Sequence, residues 1–273
     1  KPQGDYSLLY GRSVALSNDD HLVIGTYSQK KSDLSRGVFV AKVDNSGDHV
    51  INYYNYADLK NFFNYMKAKR EIRVKKRIER RKIKGKKNKF FYKLLVHDII
   101  ENKDQYIMVG EAFYPKFSYG SPSYGNPGYY NYRSGSYFEG YAYTHAIIIG
   151  FDKNGRILWD NSFEIEDVLT LNLEHFVHVM PSAEGTVLLY VFDDEIRSKI
   201  IKGSHVLDVK ENNELKLANE EDKIVENSRN IVGLENWYNN VLFTFGVQKL
   251  ANHTEQGIEN EREVFFINKI SPK

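Results

Sequence analysis

The chain contains no cysteine in 273 residues. Disulfides, thiolate metal sites and a cysteine nucleophile are therefore excluded. Methionine, tryptophan and proline are scarce, at 3, 2 and 6 residues. No apolar run approaches the roughly 20 residues of a membrane-spanning helix. There is no G-x-S-x-G, no phosphate-binding loop and no dinucleotide fingerprint, so no motif names a reaction and no cofactor is expected. The sequence opens at Lys1 without a methionine or the apolar core of a signal peptide. It reads as a processed chain or a piece of a longer one.

What is present favours strands. Twenty Tyr and sixteen Phe help to make the chain 14% aromatic and 41% hydrophobic, a composition that suits pleated, half-buried surfaces. The net charge of +2 conceals an asymmetry. Residues 67–89 hold 14 Lys/Arg and 2 Glu; removing them from the totals of 38 and 36 leaves 24 basic and 34 acidic residues, about −10. A basic rod is joined to an acidic body.

The stretch GFDKNGRILWDNS (Gly150–Ser162) reads as two strands about a tight turn, with Gly155 supplying a positive φ. The same pattern recurs. VFVAKVDNSGDHVINYY (Val38–Tyr54) places Asp44 on Asp152 and Gly47 on Gly155. A third copy is read in Ser204–Glu220, turning at Asn212-Asn213, and REVFFINKISPK supplies the first strand of a fourth. Each copy follows another strand pair: Ser13–Ser28, Leu94–Phe113, His175–Phe192 and Asn230–Gln248. The unit is four antiparallel strands, about four units are visible, and the period without insertions is about 50 residues.

Four-stranded units at this period resemble the blades of β-propellers. The implied fold is mainly β and propeller-like over residues 1–273, alone or as part of a larger ring; a β-sandwich or a meandering sheet is the alternative, against which the repeat argues. The last unit lacks its outer strand, which Asp5–Tyr10 would supply if the termini close the ring. The Tyr/Asn/Lys-rich texture and the FDKNGRILW turn further resemble cell-envelope propellers of Bacteroidota. That resemblance implies a periplasmic or outer-membrane-associated location and an accessory or plug-like subunit of a secretion or gliding assembly.

Two insertions interrupt the repeat. In the first, residues 56–90, the spacing of Leu59, Phe62, Phe63, Met66, Val74 and Ile78 predicts a helix over roughly 58–83, capped by Asp58 and stopped at Gly85. Its Lys/Arg-rich half, including Lys76, Arg77, Arg80 and Arg81, is a candidate docking surface for an acidic protein. The alternative is that it neutralises the chain's own acidic body. Nucleic acid and acidic lipid head groups are the poorer fits; for nucleic acid, the aromatics precede the charge run instead of standing beside it. The second insertion, residues 114–143, has nine Tyr, two Phe and five Gly. It predicts an irregular contact loop between the two middle strands of the second unit, with Tyr124, Tyr129, Tyr130, Tyr132 and Tyr137 as contact residues for a protein or a glycan; the alternative is a loop that folds on its own blade to cover a hydrophobic edge.

The histidines invite weighing. His175 and His178, three apart on one predicted strand, would face opposite sides and not share an ion. His97-Asp98 falls at the start of a repeat strand and reads as structural. No metal site is expected. Asp152-Lys153-Asn154-Gly155 lacks the later oxygen ligands of a calcium loop. The sequence therefore points to a non-enzymatic binding platform, with a glycan-binding or glycan-acting propeller as the alternative.

Overall fold

The computed structural model describes residues 5–29, 32–119, 136–166, 168–182, 185–192, 195–213, 217, 219, 222–225, 230–238, 241–253 and 259–270. The chain is mainly β, with one α-helix among the described residues, and divides into two compact units, Lys1–His175 and Phe176–Lys273.

In the first unit, β1 (Tyr6–Ala15), β2 (His21–Gln29), β3 (Gly37–Val43) and β4 (His49–Asn55) form an antiparallel meander in that order. The second sheet is built from β5 (Lys93–Val96), β6 (Ile100–Asn102), β7 (Gln105–Tyr119), β8 (Ser136–Phe151), β9 (Ile157–Glu164) and β10 (Leu169–Thr170). There β5 and β6 share one edge of β7, and β9 and β10 follow one another along the outer edge of β8. The two sheets share one apolar core. Leu22, Ile24, Val38 and Val40 come from the first sheet, and Met108, Ile147, Ile149 and Phe151 from the second.

The two hairpins matched in the sequence have one hydrogen-bond pattern. Asp44 N donates to Asp48 O, and Gly47 N to Asp44 O; Asp152 N donates to Arg156 O, and Gly155 N to Asp152 O. Each aspartate also folds its own carboxylate over the turn. Asp44 Oδ1 accepts from Ser46 N and Asp48 N, and Asp152 Oδ1 from Asn154 N and Arg156 N. Gly47 and Gly155 have φ of 86° and 76°. Their surroundings differ. A Cβ on Gly47 would meet nothing within 4 Å, whereas one on Gly155 would lie 2.6 Å from Val40 Cγ1, and Tyr54 Oη donates to Gly155 O at 2.9 Å. The second turn is thus pressed onto the first sheet.

The first insertion departs from expectation. The helix α1 spans Ala68–Ile83, not 58–83, and Asp58 ends a 3-10 turn (Tyr56–Asp58) instead of capping it. Residues 59–66 are held as a docked loop because their backbone donors are used elsewhere. Asp160, buried on β9, accepts from Lys60 N at 3.0 Å and Asn61 N at 2.6 Å, while Asn61 Nδ2 donates to Asp160 O. Ser162 Oγ donates to Asn61 O and accepts from Tyr65 N. This arrangement drives Phe62 and Phe63 into the core. Of the expected apolar face, only Val74 and Ile78 lie on α1; Leu59, Phe62, Phe63 and Met66 reach the same core from the docked loop. The stop at Gly85 is also present. With φ 62°, Gly85 N donates to Lys82 O and Lys86 N to Arg81 O, a Schellman closure.

In the second unit, β11 (His178–Pro181), β12 (Thr186–Phe192), β13 (Glu195–Lys202) and β14 (His205–Asn213) form another four-stranded meander. Its second hairpin turns at Gly203 (φ 59°), not at Asn212-Asn213. The strand Glu195–Lys202 carries charges at alternate positions and hides Ile196 and Ile201. The last sheet places β15 (Asp222–Ile224) and β16 (Asn230–Asn236) on one edge of β17 (Leu242–His253), and β18 (Glu259–Ile270) on the other. Arg262 on β18 reaches Asp222 on β15 at 2.6 Å. Met180, Val187, Leu189 and Ile196 of one sheet pack with Leu234 and Leu242 of the other. Tyr6–Tyr10 belongs to β1 and pairs with β2 along its length, Tyr6 opposite Gln29. It is therefore the first strand of the first sheet and not the missing outer strand of the last.

Two stability predictions follow from these packings. Gly47→Ala is expected to cost about 1 kcal/mol, the penalty of a positive φ alone. Gly155→Ala should cost about 2 kcal/mol more through overlap with Val40, and paired urea melts read the difference. Asp160→Ala should destabilise by roughly 3 kcal/mol, because two part-buried N–H groups lose a charged acceptor. Equal stability of that variant and the parent would remove the clamp from the account.

Candidate functional site

The second insertion is a two-stranded arm, not an irregular loop, in its described part. β7 and β8 continue beyond the sheet, pairing Phe113 with Tyr143, Pro115 with Tyr141, Phe117 with Phe138 and Tyr119 with Ser136. Register shifts fall at Ala112/Phe113 and Lys116/Phe117. Phe113 and Phe117 share a face of β7 by alternation, and the register shift that skips Glu139 brings Phe138 onto the face of Tyr141 and Tyr143, so the five rings form one row. Ring centroids are 5.6 Å apart for Phe117–Phe138, 5.1 Å for Phe138–Tyr141 and 5.7 Å for Phe113–Tyr141, all edge to face. Burial fades along the row, from Tyr143 at 4% exposure to Phe138 at 44% and Phe117 at 48%. Tyr137 and Tyr114 are 65% and 50% exposed, and Lys116 pairs with Glu139 at 2.8 Å. Outside the row, the arm therefore shows both aromatic and charged groups to solvent.

The root of the arm meets a titratable cluster. Tyr143 Oη donates to Glu174 O at 2.5 Å and accepts from Glu174 N, which fixes the segment ending in His175. His175 Nε2 lies 3.3 Å from Val96 O, and its ring is 4.1 Å from that of His97. His97 Nε2 is 2.6 Å from Oε1 of Glu111, whose side chain has no exposed surface. A carbonyl can only accept, so His175 carries its proton on Nε2. Burial and the neighbouring His97 hold the His175 pKa below its usual value. Asp98 turns outward and pairs with Arg12 at 3.0 Å. Hydrolysis by two carboxylates requires both to reach the substrate. Glu111 is withdrawn behind His97, and Asp98 is 86% exposed beside Arg12. The arrangement orients an imidazole; it does not present an acid pair. Among the described residues, no group of three or more His, Asp or Glu side chains is arranged to hold a metal ion.

Deeper in the same unit, His145 is fully buried and stacked on Tyr65 at 3.6 Å, with Phe62 and Tyr92 edge-on. Thr144 Oγ1 lies 2.9 Å from its Nδ1 and donates to Ala112 O, so Nδ1 carries the proton and Nε2 has no partner among the described residues. At the other end of β8, the two equivalent hairpins border an open polar cleft of about 730 Å³, lined among others by Asp20, Lys42, Asp48, His49, Asn52 and Arg156.

Of the residues expected to contact a partner, Tyr137 is on the arm and exposed. Tyr124, Tyr129, Tyr130 and Tyr132 lie outside the described residues. Lys76, Arg77 and Arg80 are exposed on α1, but Arg77 also lies over the Phe90 ring at 5.4 Å. Arg81 is half-buried, donating to Lys87 O. The expectation that His175 and His178 share a strand does not hold: β11 begins at His178. Glu111 was not singled out in the sequence, although a lone acid inside the apolar run Ile107–Phe113 is the available signal.

Desolvation pushes the His145 pKa down to about 3 from 6.5, and His175 shifts in the same direction. The folded chain thus refuses protons that the unfolded chain accepts. Stability from this source is complete above pH 6.5 and falls as the pH drops toward 3. The difference in unfolding free energy between pH 7 and pH 4 should shrink by about 3 kcal/mol in His145→Phe. An unchanged pH dependence in urea melts would contradict the buried neutral imidazole.

No family model and no curated protein matches the chain. Among solved structures it is similar to an exo-β-1,3-galactanase from Phanerochaete chrysosporium with galactose, at TM-score 0.31 and 9% identity, covering 92% of this chain and 49% of that one. A substituted form of that enzyme with β-1,3-galactotriose gives TM-score 0.31 and 9% identity over 93% and 49% of the two chains. The chain spans about half the length of these structures.

Proposed function

We propose that the chain is a glycan-recognising protein of β-propeller type, whose aromatic arm is the contact element. The propeller reading is supported by successive antiparallel meanders stacked face to face within each unit, with equivalent turns at Gly47 and Gly155. The ligand reading is carried by the row of aromatic rings that grows more exposed toward Phe117 and Phe138. A two-stranded ribbon is narrow compared with the roughly 800 Å² per partner of an ordinary protein interface. It suits a linear ligand that offers one apolar sugar face after another, with the Tyr141 hydroxyl beside the rings for its hydroxyl groups.

A protein-binding platform is the second reading, favoured by a different observation. The last sheet exposes Trp237, Phe265 and Ile267 at 56%, 63% and 58%, beside half-buried Phe243 and Phe245. A contiguous exposed apolar face of this kind marks an interaction surface. An accessory role in a cell-envelope assembly belongs to this reading.

The double variant Phe117→Ala/Phe138→Ala separates the two. Both side chains stand outside the shared core, so the fold should survive. Affinity for neutral oligosaccharides in a calorimetric panel should fall at least about tenfold, as expected when a stacking contact worth about 1.4 kcal/mol is lost. A panel in which no sugar binds the parent chain, or in which the variant binds equally well, would sink the glycan reading.

A further inference from the structure

The helix α1 has two opposite faces. Val74 and Ile78 are turned to the core, with Glu71 and Arg81 half-buried beside them. At 100° per residue the opposite side carries Lys69, Arg73, Lys76 and Arg80, all exposed. These four cations form one row about 16 Å long, at the helical rise of 1.5 Å per residue. Lys84, Lys86, Lys87 and Lys89 continue the exposed charge beyond the helix end.

The chain does little to neutralise this row. Lys82 pairs with Asp58 and Lys75 with Glu71, but both cations lie to the side of it. Among the described residues, no carboxylate holds Lys69, Arg73, Lys76 or Arg80. The reading in which the basic segment neutralises the chain's own acidic body therefore applies to Lys82 and not to the outward face. The row is also held rigidly. The Asp160 clamp precedes the helix, and the Schellman closure at Gly85 follows it. Beyond that closure, Arg36 donates to Asn88 O at 2.7 Å, and Asn88 Nδ2 to Ile78 O.

We infer that the outward face of α1 binds an anionic polysaccharide, one bearing carboxylate or sulfate groups along a straight chain. The ligand must be a polyanion by charge complementarity, and the row, flanked by the exposed Arg70 and Arg77, runs along the helix axis, which suits a linear polymer. The exposed residues of Ala68–Lys84 include no aromatic ring to stack on bases. The apolar face that would enter a membrane is already buried on the core, which leaves only the separated Ile72 and Ile83 outward. The choice of a saccharide over an acidic protein rests on the glycan reading of the arm; the cationic row itself does not.

The full chain would be titrated with polygalacturonate. Neutral dextran, short duplex DNA, phosphatidylserine vesicles and polyglutamate serve as competing probes. The expected result is binding to polygalacturonate that weakens as salt rises and falls at least about tenfold in the triple variant Lys69→Glu/Lys76→Glu/Arg80→Glu. Lys153→Glu, an exposed charge on the hairpin, should leave it unchanged. The circular dichroism and melting of the triple variant should match the parent. If no polyanion binds, or if DNA, vesicles or polyglutamate bind more tightly than polygalacturonate, the inference is overturned. Neutral-oligosaccharide binding, measured on the same proteins, depends on Phe117 and Phe138 and reports separately on the arm.

Discussion

The carboxylate of Asp160 is the constraint on which the first unit depends. Burial raises its pKa, while the Asn61 and Lys60 amides favour its charged form. Without those donors it would be a desolvated charge in a strand; with them it fixes where the insertion leaves the first sheet. The consequences propagate through packing. Once Asn61 is held, Phe62 stacks on the buried Tyr56 ring at 4.6 Å and meets His145 and Tyr92 edge-on. Tyr56 in turn shares a hydrogen bond of 2.6 Å with Ser35, whose hydroxyl donates to Tyr92 O. One acid thus joins the inserted segment, the second sheet and the strand that returns from the helix.

Because the insertion leaves and returns beside the same bridge, Ser35 to Tyr92, its length is decoupled from the sheets. The closure cost of a long excursion grows only slowly with its length. The repeat can therefore carry a charged helix without disturbing strand register. The arm achieves the same end differently, by prolonging two strands that already pair.

Much of the architecture was legible in local sequence. Asp44-x-x-Gly47 and Asp152-x-x-Gly155 encode their turns within five residues, and the observed hydrogen bonds are local ones. Gly85 and the spacing of Val74 and Ile78 were readable for the same reason. What escaped depended on distant partners. The start of α1 is decided by Asp160, about a hundred residues away, so Asp58 resembled a cap and was not one. The strands of the arm were hidden by Gly, Ser and Pro, because pairing with an established neighbour outweighs weak propensity. β13 was hidden by its charges. The His97–Glu111 pair was invisible because Glu111 sits in an apolar strand and finds its partner only across the sheet.

The arm can also be considered mechanically. β7 and β8 run without interruption from the centre of the second sheet to the exposed rings, so the arm and the core share two rods. A rod of paired strands resists bending except where its ladder is broken, and the break nearest the core lies at Ala112/Phe113. That fulcrum adjoins Glu111 on one strand and faces His145 on the other, while Tyr143 just beyond it holds Glu174 and, through it, the position of His175. The first groups that a load on Phe117 or Phe138 would meet at the root of the arm are therefore His145 and the Glu174–His175 segment.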